Sequence, residues 1–271
     1  MKNLIIILFL SAFALVSCTP ATSASPEIRY QTEVHLQAEY KISSELVEDA
    51  PDSSMKYIVW LPEGYGENTE KQWPLILFLH GSGSGTNDSV FVIGQGLPEV
   101  LYKGEQPEDF PFVVISPQAF DGTPWWVGVT PEVLLELLDE VAELYKIDTK
   151  RIYLTGLSMG GYGSWLMAAA YPERFAAMVS TAGTGYGNIN PTIEQLCKVG
   201  RTPLWAFHGA QDVISDPIGA KIYIVQLQKE CENTEEIKWT LYPDEGHLGT
   251  YQRAYRDPEL YTWLLEHSLE E

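Results

Sequence analysis

Basic residues are scarce: 17 Lys and Arg stand against 37 Asp and Glu in 271 residues, for a formal charge of -20 and a pI near 4.5. Such a surface repels polyanions, and it lacks the basic stripe that displaces counterions, which excludes nucleic acid as a partner. Cysteine is scarce too. Cys18, Cys197 and Cys231 are too few for a disulfide framework, and none stands in the C-x-x-C spacing of a structural zinc site, so no metal is expected. The glycine run His80-Gly81-Ser82-Gly83-Ser84-Gly85 has no Lys behind it and is no phosphate loop. Internal repeats and a second domain boundary are also missing, so the fold must rest on one apolar core. The composition can supply it: 45% of residues are hydrophobic and 12% aromatic, as in a folded globular protein.

The N-terminus reads as an export signal. Lys2 precedes an apolar run over residues 4–16, long enough for a signal core but short of the ~20 residues that span a membrane. The run ends in Leu15-Val16-Ser17-Cys18, which resembles the lipobox of bacterial lipoproteins. That resemblance implies cleavage after residue 17, lipidation of Cys18, and a membrane-anchored lipoprotein of the cell envelope, facing the periplasm or the cell surface. No acidic residue follows Cys18 directly, which by the same resemblance favours the outer membrane of a Gram-negative host. Residues 18–27 then form a lipidated cysteine and a Thr/Ala/Ser/Pro tether with nothing to bury, and residues 28–271 form one domain.

Within that domain, apolar runs bounded by Pro and Gly predict strands over 28–36, 57–61, 75–79, 112–115, 152–155, 175–180, 204–207 and 237–241. Several show no polar alternation, as in strands covered on both faces. Helical patterns lie between them. Thr130 and Pro131 read as an N-cap and a first helical residue, after which Val133, Leu134, Leu137, Leu138, Val141 and Leu144 share one face. Further helices are predicted over 160–171, 217–229 and 258–267. Strand-helix alternation of this kind predicts an α/β fold, a mostly parallel central sheet with helices on both faces.

Gly156-Leu157-Ser158-Met159-Gly160 lies between a predicted strand and a predicted helix, the setting of a nucleophile elbow. Side-chain-free residues at 156 and 160 let strand and helix pass closely while Ser158 takes a strained backbone. In that arrangement the triad partners follow in the order Ser, acid, His, on loops after later strands. The strand over 204–207 leads to Asp212, read as the acid that orients the imidazolium. The strand over 237–241 leads to His247, read as the general base. Asp216, on the same loop as Asp212, is the alternative acid, while Asp244 and Glu245 read as solvated loop charges. His80 and His208, each in a His-Gly pair at a strand end, read as structural hydrogen-bonding groups, and His35 and His267 lie outside the catalytic loops. Backbone N–H groups of Met159 and Ser82 are expected to form the oxyanion hole, with Gly83 as the alternative to Ser82.

Together these residues resemble the α/β-hydrolase fold, and more narrowly the secreted esterases related to polyhydroxybutyrate depolymerases and feruloyl esterases, beside a group of predicted peptidases of the prolyl-oligopeptidase type. The resemblance rests on WLP at 60–62, LHGS at 79–82, RIYLTGLSMGGYG at 151–163, YPERFA at 171–176, WAFHGAQD at 205–212, and Gly246-His247 followed by YRDPELYTW at 255–263. It covers about residues 57–265. The acid loop departs from the family pattern, since it lacks the usual Val-Pro after Asp-x-x and reads Asp212-Val-Ile-Ser-Asp-Pro217, and this keeps Asp216 open. The resemblance implies hydrolysis of a small neutral or polysaccharide-linked acyl ester, such as an acetyl or feruloyl ester, through an acyl-serine intermediate and without cofactor. A peptidase or phospholipase, and a binding protein whose catalysis has decayed, are the competing readings; the last is disfavoured because serine, histidine and the oxyanion glycines are all retained.

Trp125 and Trp126 are expected either to stack on a sugar or aryl group or to pack their loop onto the core, and Tyr186 is a candidate for the rim of the site. Cys231 follows the helix returning from the acid loop and Cys197 precedes the strand leading to it, so the two are expected either to pair or to remain as buried thiols.

Overall fold

The computed structural model describes residues 36–41, 54–82, 90–119, 124–126, 130–184, 190–232 and 234–270. The signal segment, Cys18, the tether, Gly83 and Tyr186 lie outside the described residues, as does all but the last residue of the strand expected over 28–36.

Among the described residues eight strands form one sheet: β1 (Leu36–Lys41), β2 (Ser54–Trp60), β3 (Trp73–Leu79), β4 (Val113–Pro117), β5 (Ile147–Leu157), β6 (Ala177–Thr181), β7 (Leu204–Gly209) and β8 (Ile237–Tyr242). Their order is β1-β2-β4-β3-β5-β6-β7-β8. The pairs β1/β2 and β2/β4 are antiparallel, and every later pair is parallel.

The parallel strands read as unbroken apolar runs because both faces are covered. All seven residues of β3 are buried. Leu75, Leu77 and Leu79 belong to one apolar cluster, with α3 (Thr130–Leu144), α4 (Met159–Ala170), α5 (Ile193–Val199) and α6 (Pro217–Glu230) supplying its other side. Ile76 and Phe78 point to a second cluster, closed by α2 (Gly96–Tyr102), α7 (His247–Ala254) and α8 (Pro258–Leu265). A short α1 (Val90–Ile93) precedes α2. The strict alternation of β3 between two cores follows from the two-residue period of a strand.

Several elements differ from the sequence expectation, among them β5, which is longer than the expected 152–155, and α5, which was not expected. The strand expected from residue 175 starts at Ala177, because Pro172–Arg174 form a 3-10 turn that ends α4. A helix that the sequence pattern did not announce, α7, begins at His247 itself, with Gly246 as its N-cap. The segment 90–102, which has no clean helical period, forms α1 and α2. Cys197 in α5 and Cys231, which caps α6, are bonded to each other with Cα atoms 5.1 Å apart. The bridge spans 34 positions of sequence and ties the two helices that flank the chain's entry into β7.

Candidate active site

Ser158 sits between β5 and α4 with φ 52° and ψ -115°, a left-handed conformation that costs a non-glycine residue about 1–3 kcal/mol. Two glycines make the turn possible. A Cβ on Gly156 would lie 2.3 Å from the Gly160 carbonyl oxygen, and one on Gly160 would lie 1.9 Å from that of Leu79. Hydrogen bonds hold the strained residue: its N–H donates to Thr181 O at 2.9 Å, and its own carbonyl accepts from Tyr162 N–H at 2.9 Å. Met159 opens α4, so its N–H is one of the first-turn donors that the helix itself leaves without a partner.

Asp212 follows β7 with its side chain fully buried. One carboxylate oxygen, Oδ1, accepts from the N–H groups of Ile214 and Ser215, both at 2.9 Å. The other, Oδ2, lies 2.7 Å from His247 Nδ1. A carboxylate only accepts, so Nδ1 carries the proton and the Nε2 lone pair of His247 is left to act as a base. Asp216 is differently employed. It caps α6, its Oδ1 accepting from Ile218 N–H at 2.8 Å, whereas the contact to His247 belongs to Asp212.

A second histidine touches the same carboxylate. His208 Nε2 lies 2.8 Å from Ser215 O and 3.2 Å from Asp212 Oδ2. Two acceptors face this nitrogen, so it holds the proton of a neutral ring, and burial lowers the histidine's pKa against the pull of Asp212.

His80 organises the loop that bears Ser82. Ala119 N–H donates to its Nε2 at 3.0 Å, so the proton must sit on Nδ1, which reaches Gly81 O at 2.7 Å. Burial pushes its pKa down to about 4, which fixes the ring as neutral. Trp125 departs from the stacking role. It is fully buried, its Nε1–H donates to His80 O at 2.9 Å, and its ring meets the His80 ring edge-on at 4.8 Å. A buried indole N–H needs an acceptor, and the one it finds belongs to the loop bearing Ser82, so Trp125 braces that loop and offers no face to the cleft. Trp126 is half-buried and packs edge-on against Tyr162 at 4.7 Å. It too is packed against the core.

Ser158, Met159 and Ser82 open into one cleft of about 520 Å³. Its remaining described lining is Thr184, Asn190, Ile214, Ser215, Asp216, Ile218, Gly219 and Ile222. The sequence reading missed this wall. Its signal was the solvent-exposed apolar run Val213-Ile214 inside a polar loop, continued at helical spacing by Ile218 and Ile222. Among the described residues no cluster of His, Cys, Asp or Glu is arranged to hold a metal ion.

Residues 49–238 match the model of the family described as "Putative esterase". The chain is 26% identical over 211 residues to a bifunctional acetylxylan esterase/xylanase of Neocallimastix patriciarum, covering 76% of this chain and 27% of that protein. It is 26% identical over 176 residues to acetylxylan esterase A of Emericella nidulans, covering 59% of this chain and 54% of that one. The chain therefore spans about a quarter and about half of the length of these two relatives. Among solved structures, a thermostable esterase superposes with a TM-score of 0.67 at 23% identity, over 87% of this chain and 63% of the other. That likeness shows the α/β-hydrolase fold.

Proposed function

The chain belongs to the Esterase family, and from that premise we propose that it is a serine carboxylesterase hydrolysing neutral acyl esters, on small alcohols or on polysaccharide, through an acyl-Ser158 intermediate. The observation that supports this most directly is the 2.7 Å contact between His247 Nδ1 and Asp212 Oδ2, where the loop of Asp212 also lines the cleft of the strained Ser158. The polysaccharide part of the reading leans on relatives named as acetylxylan esterases.

In this mechanism His247 Nε2 takes the proton of Ser158 Oγ as that oxygen attacks the ester carbonyl carbon. The carbonyl π pair moves onto oxygen, and the oxyanion is met by the N–H groups of Met159 and Ser82, a term worth about 3 kcal/mol of barrier per donor. Collapse breaks the bond to the alcohol oxygen, which leaves with the proton held by His247. Water then repeats the sequence on the acyl-serine and returns Ser158 to its starting state. Asp212 stays ionised throughout and stabilises the imidazolium, its other oxygen held by two backbone N–H groups.

The test is hydrolysis of p-nitrophenyl acetate by the wild type and by Ser158→Ala, His247→Ala and Asp212→Asn. The serine and histidine variants should lose about 10⁴-fold or more in kcat, and the Asp212 variant a comparable factor because it stabilises the wrong tautomer. Full activity in Ser158→Ala overturns the proposal.

The Leu15-Val16-Ser17-Cys18 motif supports a second proposal, that the protein is exported and anchored in the cell envelope by lipid on Cys18. Labelled palmitate should be incorporated by the wild type and not by Cys18→Ala; equal labelling contradicts the anchor.

A further inference from the structure

Several polar groups on the described wall of the cleft are already bonded within the protein. Thr184 Oγ1 and Ser215 Oγ bond to each other at 2.7 Å. Asn190 Oδ1 accepts from Tyr223 Oη at 2.7 Å, and Asp216 Oδ1 caps α6 through Ile218 N–H. None of the described lining residues is aromatic, so a sugar ring finds no stacking platform there. Beside these groups the wall carries an uncovered apolar stretch. Ile214, Ile218 and Ile222 line the cleft at 75%, 65% and 49% exposure. The core contacts of α6 run through Ala220, Tyr223, Ile224 and Leu227, not through Ile218 or Ile222. Three uncovered isoleucines in the cleft that also holds a candidate nucleophile are an unusual use of surface unless a ligand covers them.

Resting on the esterase reading above, we infer that the cleft takes its ester through an apolar arm longer than acetyl, laid along Ile214, Ile218 and Ile222. The chemistry required of the ligand is an uncharged aliphatic or aryl group attached to either side of the ester bond. The negative charge of the molecule and Asp216 at the cleft act against an anionic arm. The site thus distinguishes substrates by apolar contact, with the polar groups near Ser158 reserved for the reacting carbonyl.

The experiment follows three esters by titration of released acid with the full-length protein: methyl acetate, short on both sides; methyl hexanoate, long on the acyl side; and hexyl acetate, long on the alcohol side. The double variant Ile218→Thr/Ile222→Thr keeps β-branching on an exposed helix face and removes apolar contact. Leu265→Thr, at an exposed apolar position on α8 that is not part of the cleft, is the control. The wild type should show a kcat/KM at least tenfold higher for one long ester than for methyl acetate, and the double variant should reduce that ratio about tenfold while Leu265→Thr keeps it. Loss of the ratio with methyl hexanoate assigns the arm to the acyl side, and loss with hexyl acetate assigns it to the alcohol side; either supports the inference. A wild type that hydrolyses methyl acetate without preferring a long ester, or a double variant that keeps the preference, overturns the inference and leaves the esterase reading standing. A wild type that hydrolyses none of the three overturns both.

Discussion

The indole N–H of Trp125 donates to the carbonyl oxygen of His80 at 2.9 Å, across 45 residues of sequence, and so fastens the loop bearing Ser82 to the loop that follows β4. Removing the donor while keeping a ring leaves a buried carbonyl without that partner, at a cost of about 1–3 kcal/mol. Trp125→Phe should therefore lower stability by that amount in urea unfolding. It should also lower kcat for p-nitrophenyl acetate about tenfold with KM nearly unchanged, because in the proposed mechanism the Ser82 N–H acts on the transition state. A variant changed in KM alone would return Trp125 to a substrate-contacting role.

His208 shares Asp212 Oδ2 with His247, at 3.2 Å against 2.7 Å, and ties the same loop through Ser215 O. It acts as a positioning residue, holding the carboxylate in line for His247. His208→Phe should reduce kcat about tenfold or more, and His208→Gln, whose amide can again donate at the Nε2 position, should recover much of that loss. Equal loss in both variants, or in neither, contradicts the positioning role.

Acid should destabilise the fold through buried neutral histidines. His80 titrates near 4 in the native protein against 6.5 for an unperturbed ring, so between those values the unfolded chain binds more protons than the native one. The stability that His80 contributes is full above pH 6.5 and falls as pH drops toward 4, by about 3 kcal/mol in all. His208, lowered for the same reason, adds to the loss in the same direction. Urea unfolding at pH 7, 5.5 and 4 should show this decline, and His80→Gln should flatten it while lowering stability at pH 7. An unchanged slope in His80→Gln would show that other groups control acid unfolding.

The elbow was legible in the sequence because Gly156 and Gly160 are forced by backbone approaches of 2.3 and 1.9 Å, which no other residue satisfies. The contact between Asp212 and His247 was legible because each lies a few residues past a strand, β7 or β8, and parallel pairing delivers both strand ends to one edge of the sheet. For Trp125 the sequence left two roles open, and the structure shows the packed one; residue type reports that an indole is large and amphipathic, but its N–H partner, the His80 carbonyl, is 45 residues away and invisible to local pattern. The isoleucine wall was missed because Ile218 and Ile222 share α6 with the core residues Ala220, Tyr223 and Ile224, which blurs the helical period. The start of α7 at His247 was hidden for a similar reason, since its N-cap Gly246 makes no side-chain capping bond and announces no helix.

The central claim is that Ser158 is an activated nucleophile, and covalent labelling tests it most directly. Incubation with an alkyl fluorophosphonate, followed by intact-mass and peptide mass spectrometry, should give one adduct per chain, located on Ser158. The adduct should be absent in Ser158→Ala and form at least 100-fold more slowly in His247→Ala. A wild-type protein that stays unlabelled while folded, or that is labelled at a different residue, would contradict the account.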